Sequence, residues 1–325
     1  MKRRLVPALG LATVIACVLP TVHAQTKWDL AAAYPATNFH SENLVQFAKD
    51  VEAATGGKLK ITVHVNASLF KAPEIKRAVQ GAQAQLGEIL LPNFENEWSI
   101  FGVDSIPFLA TSYEQSFKLY QAQKPVLEKK LDSQNMKLLY SVAWPAQGIY
   151  SKKPINSAAD LKGIKWRAYS PATARIAELV GAQPVTVQAA EFSQALATGV
   201  VESTMTSSAT GVDSKLYEQL KYYHDTQAWL PRNALVVNKK AFNALPKEQQ
   251  EAVLKAAADA ETRGWENSKK ITETTMAKLK AEGMEIVKPS DQLKADMTKV
   301  GDTMLQEWLK KSGDEGKAII DAYRK

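Results

Sequence analysis

DLKGIKWRAYSPATARIAEL, residues 160–179, changes its apolar rhythm halfway along. Ile164, Trp166 and Ala168 alternate with Lys165 and Arg167, the two-residue period of a strand. Ser170-Pro171 then starts a helix, with Ser170 as its cap and Gly181 closing it after Val180. A strand running straight into a helix is the unit of an α/β fold. In open α/β sheets, ligands bind beyond the carboxyl ends of the strands, and Arg167 stands near such an end. The helix N-terminus adds free N–H groups and positive potential, and a guanidinium beside it offers a planar fork matched to a carboxylate. The pattern alone fits a second reading equally well, in which Arg167 pairs with a neighbouring Asp or Glu.

The alternation continues outward from this unit. Residues 28–33 read as a strand. Ser41 can cap a helix with Leu44, Phe47 and Val51 on one face and Gly56-Gly57 at its end. KLKITVHV (58–65) alternates strictly, with Leu59, Ile61, Val63 and Val65 on one side. Pro73 suits the first turn of another helix, followed by a strand at 85–91, a helix over 112–132 and the strand MKLLYSVA (136–143). A second run begins near Trp144. It holds a short helix at 158–161 and strands near 183–187, 200–206 and 219–224. LPRNALVVN (230–238) then crosses back as a strand. This order predicts an α/β fold with a largely parallel sheet. About 300 residues also exceed one comfortable core, which predicts two lobes.

Residues 246–283 read as one helix of some 36 residues, roughly 55 Å long at 1.5 Å per residue. Val253, Ala257, Ala260, Gly264, Ser268, Ile271, Thr275 and Leu279 form a stripe of mostly small residues, so that other elements can come close. Such a length exceeds one lobe and predicts a helix lying across both. The competing reading breaks it in two at Gly264, since glycine costs about 1 kcal/mol inside a helix.

Lys2, Arg3 and Arg4, an apolar run from Leu5 to about Leu19 and the Val22-His23-Ala24 pattern read as an export signal cut after Ala24. A lipoprotein site at Cys17 is the less favoured alternative. Removing three basic residues lowers the net charge from +7 to about +4, scattered along the chain, which argues against a nucleic-acid partner. The only cysteine leaves with the signal, so the mature chain has no thiol nucleophile or thiol ligand. There is no GxSxG, P-loop, GxGxxG or HExxH motif, and His40, His64 and His224 are not at metal-ligand spacing. No catalytic residue, cofactor or metal site is expected.

Four blocks carry a family resemblance: KPINSAADLKGIKWRAYS (153–170), LVGAQPVTVQAAEFSQALATGVVE (179–202), SIPFL (105–109) and WLPRNALVVNKKAFNALP (229–246). In this order, behind an export signal, the chain resembles the DctP-type solute-binding proteins of tripartite ATP-independent periplasmic (TRAP) transporters. The resemblance implies a two-lobed, type II-like periplasmic-binding-protein fold, with a cleft between the lobes and a long helix across both. It divides the chain into residues 25–144 as the first lobe, completed by about 233–270, and residues 145–232 as the second, completed by about 271–325. The family's selectivity arginine falls on Arg167. By the same alignment Thr206, Ser207, Trp144, Gln147, Asn93 and Phe94 come to the cleft, with Ser170 and Trp229 beside them.

The chain also departs from the family. Glu202-Ser203 stand where many members carry Asp-Gly, a Thr or Ser replaces an Asn, and SVAWPAQGIY (141–150) lacks a second arginine. That turns the expectation away from sialic-acid-like and dicarboxylate ligands, towards an aromatic or a short 2-oxo or 2-hydroxy monocarboxylate. The implied partners are that small acid and the integral membrane subunits of a TRAP transporter, with the receptor itself a periplasmic monomer. The alternative from another class is a periplasmic enzyme acting on a small organic acid.

Overall fold

The computed structural model describes residues 25–325, so the export signal, its cut after Ala24 and Cys17 lie outside the described residues. Eleven strands among them form two sheets. The first has the order β2-β1-β3-β10-β4, from β1 (Thr26–Ala31), β2 (Leu59–His64), β3 (Leu86–Leu90), β4 (Met136–Ala143) and β10 (Arg232–Asn238). The second has the order β11-β9-β5-β8-β6-β7. Its strands are β5 (Gln147–Ser151), β6 (Lys165–Ala168), β7 (Gln183–Thr186), β8 (Ser203–Ser207), β9 (Tyr222–His224) and β11 (Glu285–Val287). Each sheet is the centre of one lobe.

The expectation of a largely parallel sheet needs correcting, because both sheets are mixed. β10 runs antiparallel to β3 and β4, and β5 runs antiparallel to β8 and β9. These two strands are the ones that arrive directly from the other lobe. The remaining strands end at the cleft, as strands feeding helices do. A strand entering from the cleft must therefore run the opposite way.

The helices are α1 (Phe39–Ala54), α2 (Ala72–Gln80), α3 (Tyr113–Ser133), α4 (Pro171–Leu179), α5 (Phe192–Ala197), α6 (Ser208–Asp213), α7 (Lys239–Asn243), α8 (Lys247–Ala281) and α9 (Asp291–Arg324). Residues 158–161 form a 3-10 turn. The cap of α1 is Asn38, which accepts from the His40 N–H at 2.9 Å. Ser41, expected there, is buried in the first turn and donates to the Tyr34 carbonyl instead.

α8 is unbroken at Gly264. A Cβ at that position would overlap Val142 of β4 and Asn43 of α1, so the glycine permits close packing. Its buried face holds the expected small stripe, with Ala256 and Trp265 added and Ile271 only partly covered. Val253, Ala257, Ala260 and Trp265 join the core of the first lobe, whereas Leu279 joins a cluster of the second. α9 is divided as well, with a kink at Gly313 (φ 57°). Leu293, Met297, Val300 and Met304 pack with Trp166 and Ile176 of the second lobe. Trp308, Ile319 and Ile320 pack with Ile100, Val103 and Leu119 of the first. α9 thus packs against the second lobe as far as Met304 and against the first from Trp308 onward.

Candidate functional site

β6 delivers Arg167 to the cleft by alternation, with Trp166 turned into the core at 0% exposure. The turn after it is fixed by a reciprocal cap: Ser170 Oγ accepts from Thr173 N at 3.2 Å, and Thr173 Oγ1 accepts from Ser170 N at 3.0 Å. Arg167 is 2% exposed. Its Nε donates to the Val187 carbonyl at 3.0 Å, and its guanidinium carbon lies 4.1 Å from the Phe192 ring centre and 5.2 Å from that of Tyr169. Among the described residues, no carboxylate comes within 4.0 Å of its nitrogens. The reading in which Arg167 pairs with a neighbouring acid is thereby removed. Burial pushes its pKa down to about 10, while Tyr169 and Tyr34 pull the other way. It remains a cation at neutral pH.

Arg167 walls a cavity of about 40 Å³ between the lobes. The structure brings Asn93, Trp144, Gln147, Thr206 and Ser207 to the same cavity. Several of these are already engaged. Gln147 accepts from the Tyr169 hydroxyl at 3.0 Å and donates to the Pro145 carbonyl at 2.8 Å. Ser207 caps α6, its Oγ accepting from Thr210 N at 3.1 Å. Trp144 donates its indole N–H to Asn233 Oδ1 at 2.9 Å and packs edge-on against Tyr34 and Phe39. The Thr206 hydroxyl makes no hydrogen bond among the described residues and is 3% exposed.

The other expected residues lie elsewhere. Ser170 faces an adjoining space of about 520 Å³, which shares Asn93, Tyr169 and Gln188 with the cavity. Phe94 turns away from the cleft: Asn93 and Phe94 are adjacent on a tight turn, and the ring goes inward beneath Lys76 and beside Phe101. Trp229 is fully buried in the second lobe's core, where its indole lies against Tyr169. Sequence reasoning missed Tyr34, Tyr169, Thr210 and Phe192. Tyr34 and Tyr169 follow the ends of β1 and β6, so the strand-end rule that singled out Arg167 points to them as well. Burial raises both hydroxyl pKa values, which keeps the phenols neutral donors. Across the lobes, Asn38 Nδ2 donates to Asp213 Oδ2 at 2.6 Å. Among the described residues, no three His, Cys, Asp or Glu side chains cluster as a metal site would require.

Comparisons with known proteins converge on this architecture. The family model DctP, bacterial extracellular solute-binding protein, family 7, matches residues 30–312. DctP6 of Bordetella pertussis, an extracytoplasmic solute receptor binding pyroglutamic acid, is 62% identical, with a TM-score of 0.91 over 92% of this chain and 99% of that one. A marine metagenome TRAP solute-binding protein specific for pyroglutamate is 44% identical, with a TM-score of 0.91 over 93% and 99%. A TRAP protein of Haemophilus influenzae with bound L-gulonate shares the fold at 23% identity and a TM-score of 0.86, over 92% and 99%. Among curated relatives, a solute-binding protein of Albidiferax ferrireducens is 27% identical over 78% of this chain and 76% of its own length.

Proposed function

The chain belongs to the DctP family of bacterial extracellular solute-binding proteins, and from that membership we propose that it is a receptor for pyroglutamate or a closely similar compact monocarboxylate. In this reading the ligand carboxylate docks on Arg167, and the loaded receptor passes the acid to TRAP-type membrane subunits without chemical change. The observation that carries the proposal is a buried guanidinium with no acid of its own, facing a small cavity between two lobes. A buried unpaired charge is costly, and an incoming carboxylate supplies what the fold withholds.

The rest of the cavity suits a five-membered lactam acid. Trp144 and Tyr34 offer flat apolar surface, while Asn93 and Thr206 offer polar groups for a ring carbonyl and N–H. The solved relatives that bind pyroglutamic acid, at 62% and 45% identity, support this ligand class. With Arg167 as the one arginine in the cavity wall, a second carboxylate on the ligand has no guanidinium there to meet it. Pyroglutamate is a small monocarboxylate, as expected, but it is neither aromatic nor a 2-oxo or 2-hydroxy acid, so this proposal replaces that part of the expectation.

Thermal-shift and calorimetric titration of the mature protein test the proposal, with pyroglutamate, proline, 2-oxoglutarate, glucuronate and neutral pyrrolidone as ligands. Pyroglutamate should raise the melting temperature by several degrees at a hundredfold excess over Kd, and pyrrolidone should not. Binding of neutral pyrrolidone as tight as that of the acid, or selective binding of glucuronate, would overturn it.

A further inference from the structure

α6 follows β8 of the second lobe, yet it touches the first. Its cap, Ser207, and its third residue, Thr210, both line the cavity. Ala209 packs into the apolar cluster of the first lobe, and Ser208 Oγ accepts from Thr275 Oγ1 of α8 at 2.8 Å. The last residue, Asp213, is half-buried and reaches the first lobe with a polar group: its Oδ2 accepts from Asn38 Nδ2 at 2.6 Å.

The donor is as firmly placed as the acceptor. Asn38 is 1% exposed, and its two side-chain polar atoms have separate tasks. Oδ1 accepts from the His40 N–H at 2.9 Å and so caps α1, which leaves Nδ2 for Asp213. The turn before the cap is closed twice, by Asn38 N–H on the Pro35 carbonyl at 3.0 Å and by Ser41 Oγ on the Tyr34 carbonyl at 3.2 Å. Tyr34 lines the cavity as Thr210 does. Each end of the bond between the lobes is thus tied, within one turn of chain, to a residue of the cavity wall.

Among the described residues, no Lys, Arg or His nitrogen comes within 4.0 Å of the Asp213 carboxylate. Glu42, in the first turn of α1, faces it with like charge. One neutral amide therefore stands between an acid of each lobe. A hydrogen bond to an ionised acceptor is stronger than a neutral one, and without it the two carboxylates are left to repel.

We propose that Asn38 and Asp213 are positioning residues that clasp the two lobes and set the spacing between Tyr34 and Thr210, so that they add to ligand affinity without lining the cavity themselves. The effect on affinity rests on the reading of the cleft as a site for a small acid. The effect on the spacing of the lobes does not.

The test compares the mature wild-type protein with Asn38→Asp, Asp213→Asn and the double variant. An aspartate at position 38 still caps α1, but it sets a carboxylate against Asp213. The double variant restores a donor facing an acceptor, with the direction of the bond reversed. By calorimetry, the Kd for pyroglutamate should rise roughly tenfold in Asn38→Asp, about threefold or less in Asp213→Asn, and return to within about threefold of wild type in the double variant. The distance between the lobes is read, with and without ligand, from spin labels on Ala53→Cys and Lys162→Cys. Both positions are exposed, and the chain from Gln25 onward has no cysteine of its own. That distance should lengthen in Asn38→Asp and revert in the double variant. An Asn38→Asp protein that binds as wild type does, or a double variant no better than Asn38→Asp, would sink the proposal. If Asn38→Asp does not fold, Asp213→Ala takes its place, and unchanged affinity and distance there overturn it. If pyroglutamate binds none of these proteins, the distances decide. Lengthening that the double variant reverses upholds the clasp and places the fault in the ligand reading, whereas unchanged distances end the clasp as well.

Discussion

Two arginines are buried to the same degree in this molecule, and they stand in opposite surroundings. Arg232, at the start of β10, is 0% exposed and carries its counter-ion with it. Its Nε lies 3.4 Å from Asp104, Nη1 donates to the Ser116 carbonyl, Nη2 bonds to Gln123, and the guanidinium lies 5.2 Å from the Tyr120 ring centre. Arg167 has one carbonyl, two rings and a cavity. Burial lowers the pKa of both and lifts Asp104 to about 6 even beside its partner. Desolvation thus outweighs attraction at the paired site. The charge of Arg232 is satisfied from within, whereas Arg167 has no acid of its own, as the proposed docking of a carboxylate requires.

The comparison can be broken in four places. The largest effect is expected for Arg232→Leu, which strands Asp104 in the core and should cost about 3–5 kcal/mol of stability in urea denaturation. Adding Asp104→Leu should recover much of it. Next comes Arg167→Met, which should leave the ligand-free protein at least as stable as wild type while removing about 2–5 kcal/mol of binding free energy in calorimetry. A large loss of stability there would mean that Arg167 is structural after all. Thr206→Val should cost about 1 kcal/mol of affinity with little change in melting temperature, because it deletes a hydroxyl with no protein partner. The smallest effect on binding is expected for Trp229→Phe, which should lower stability yet keep pyroglutamate affinity within about twofold, as befits a core residue one layer behind Tyr169.

The place of Arg167 at a strand end was legible because strand alternation and a helix cap coincide within four residues, but the same pattern fitted pairing with a neighbouring acid equally well. α8 was legible because a stripe of small residues over ten turns has few other uses. Strand direction was not legible: LPRNALVVN reads the same whichever way it enters a sheet, and only its arrival from the cleft side sets its polarity. The aromatic residues were the hardest to place. Asn93 and Phe94 are neighbours, yet one reaches the cleft and the other the core, a choice made by the tight turn that holds them. Trp229 and Trp144 are both indoles near crossings between the lobes. Whether such a ring covers a ligand or a neighbouring strand depends on packing depth, which periodicity does not encode.

α8 has a mechanical consequence. Its 35 residues make a rod of about 52 Å, packed at one end on α1 and β4 and at the other on α6 and β11. The chain also passes between the lobes in the crossings before β5 and β10 and again along α9. Parting the lobes cannot then be the free swing of a door on one pin. Any such motion has to bend a beam held at both ends or slide it across one of its seats.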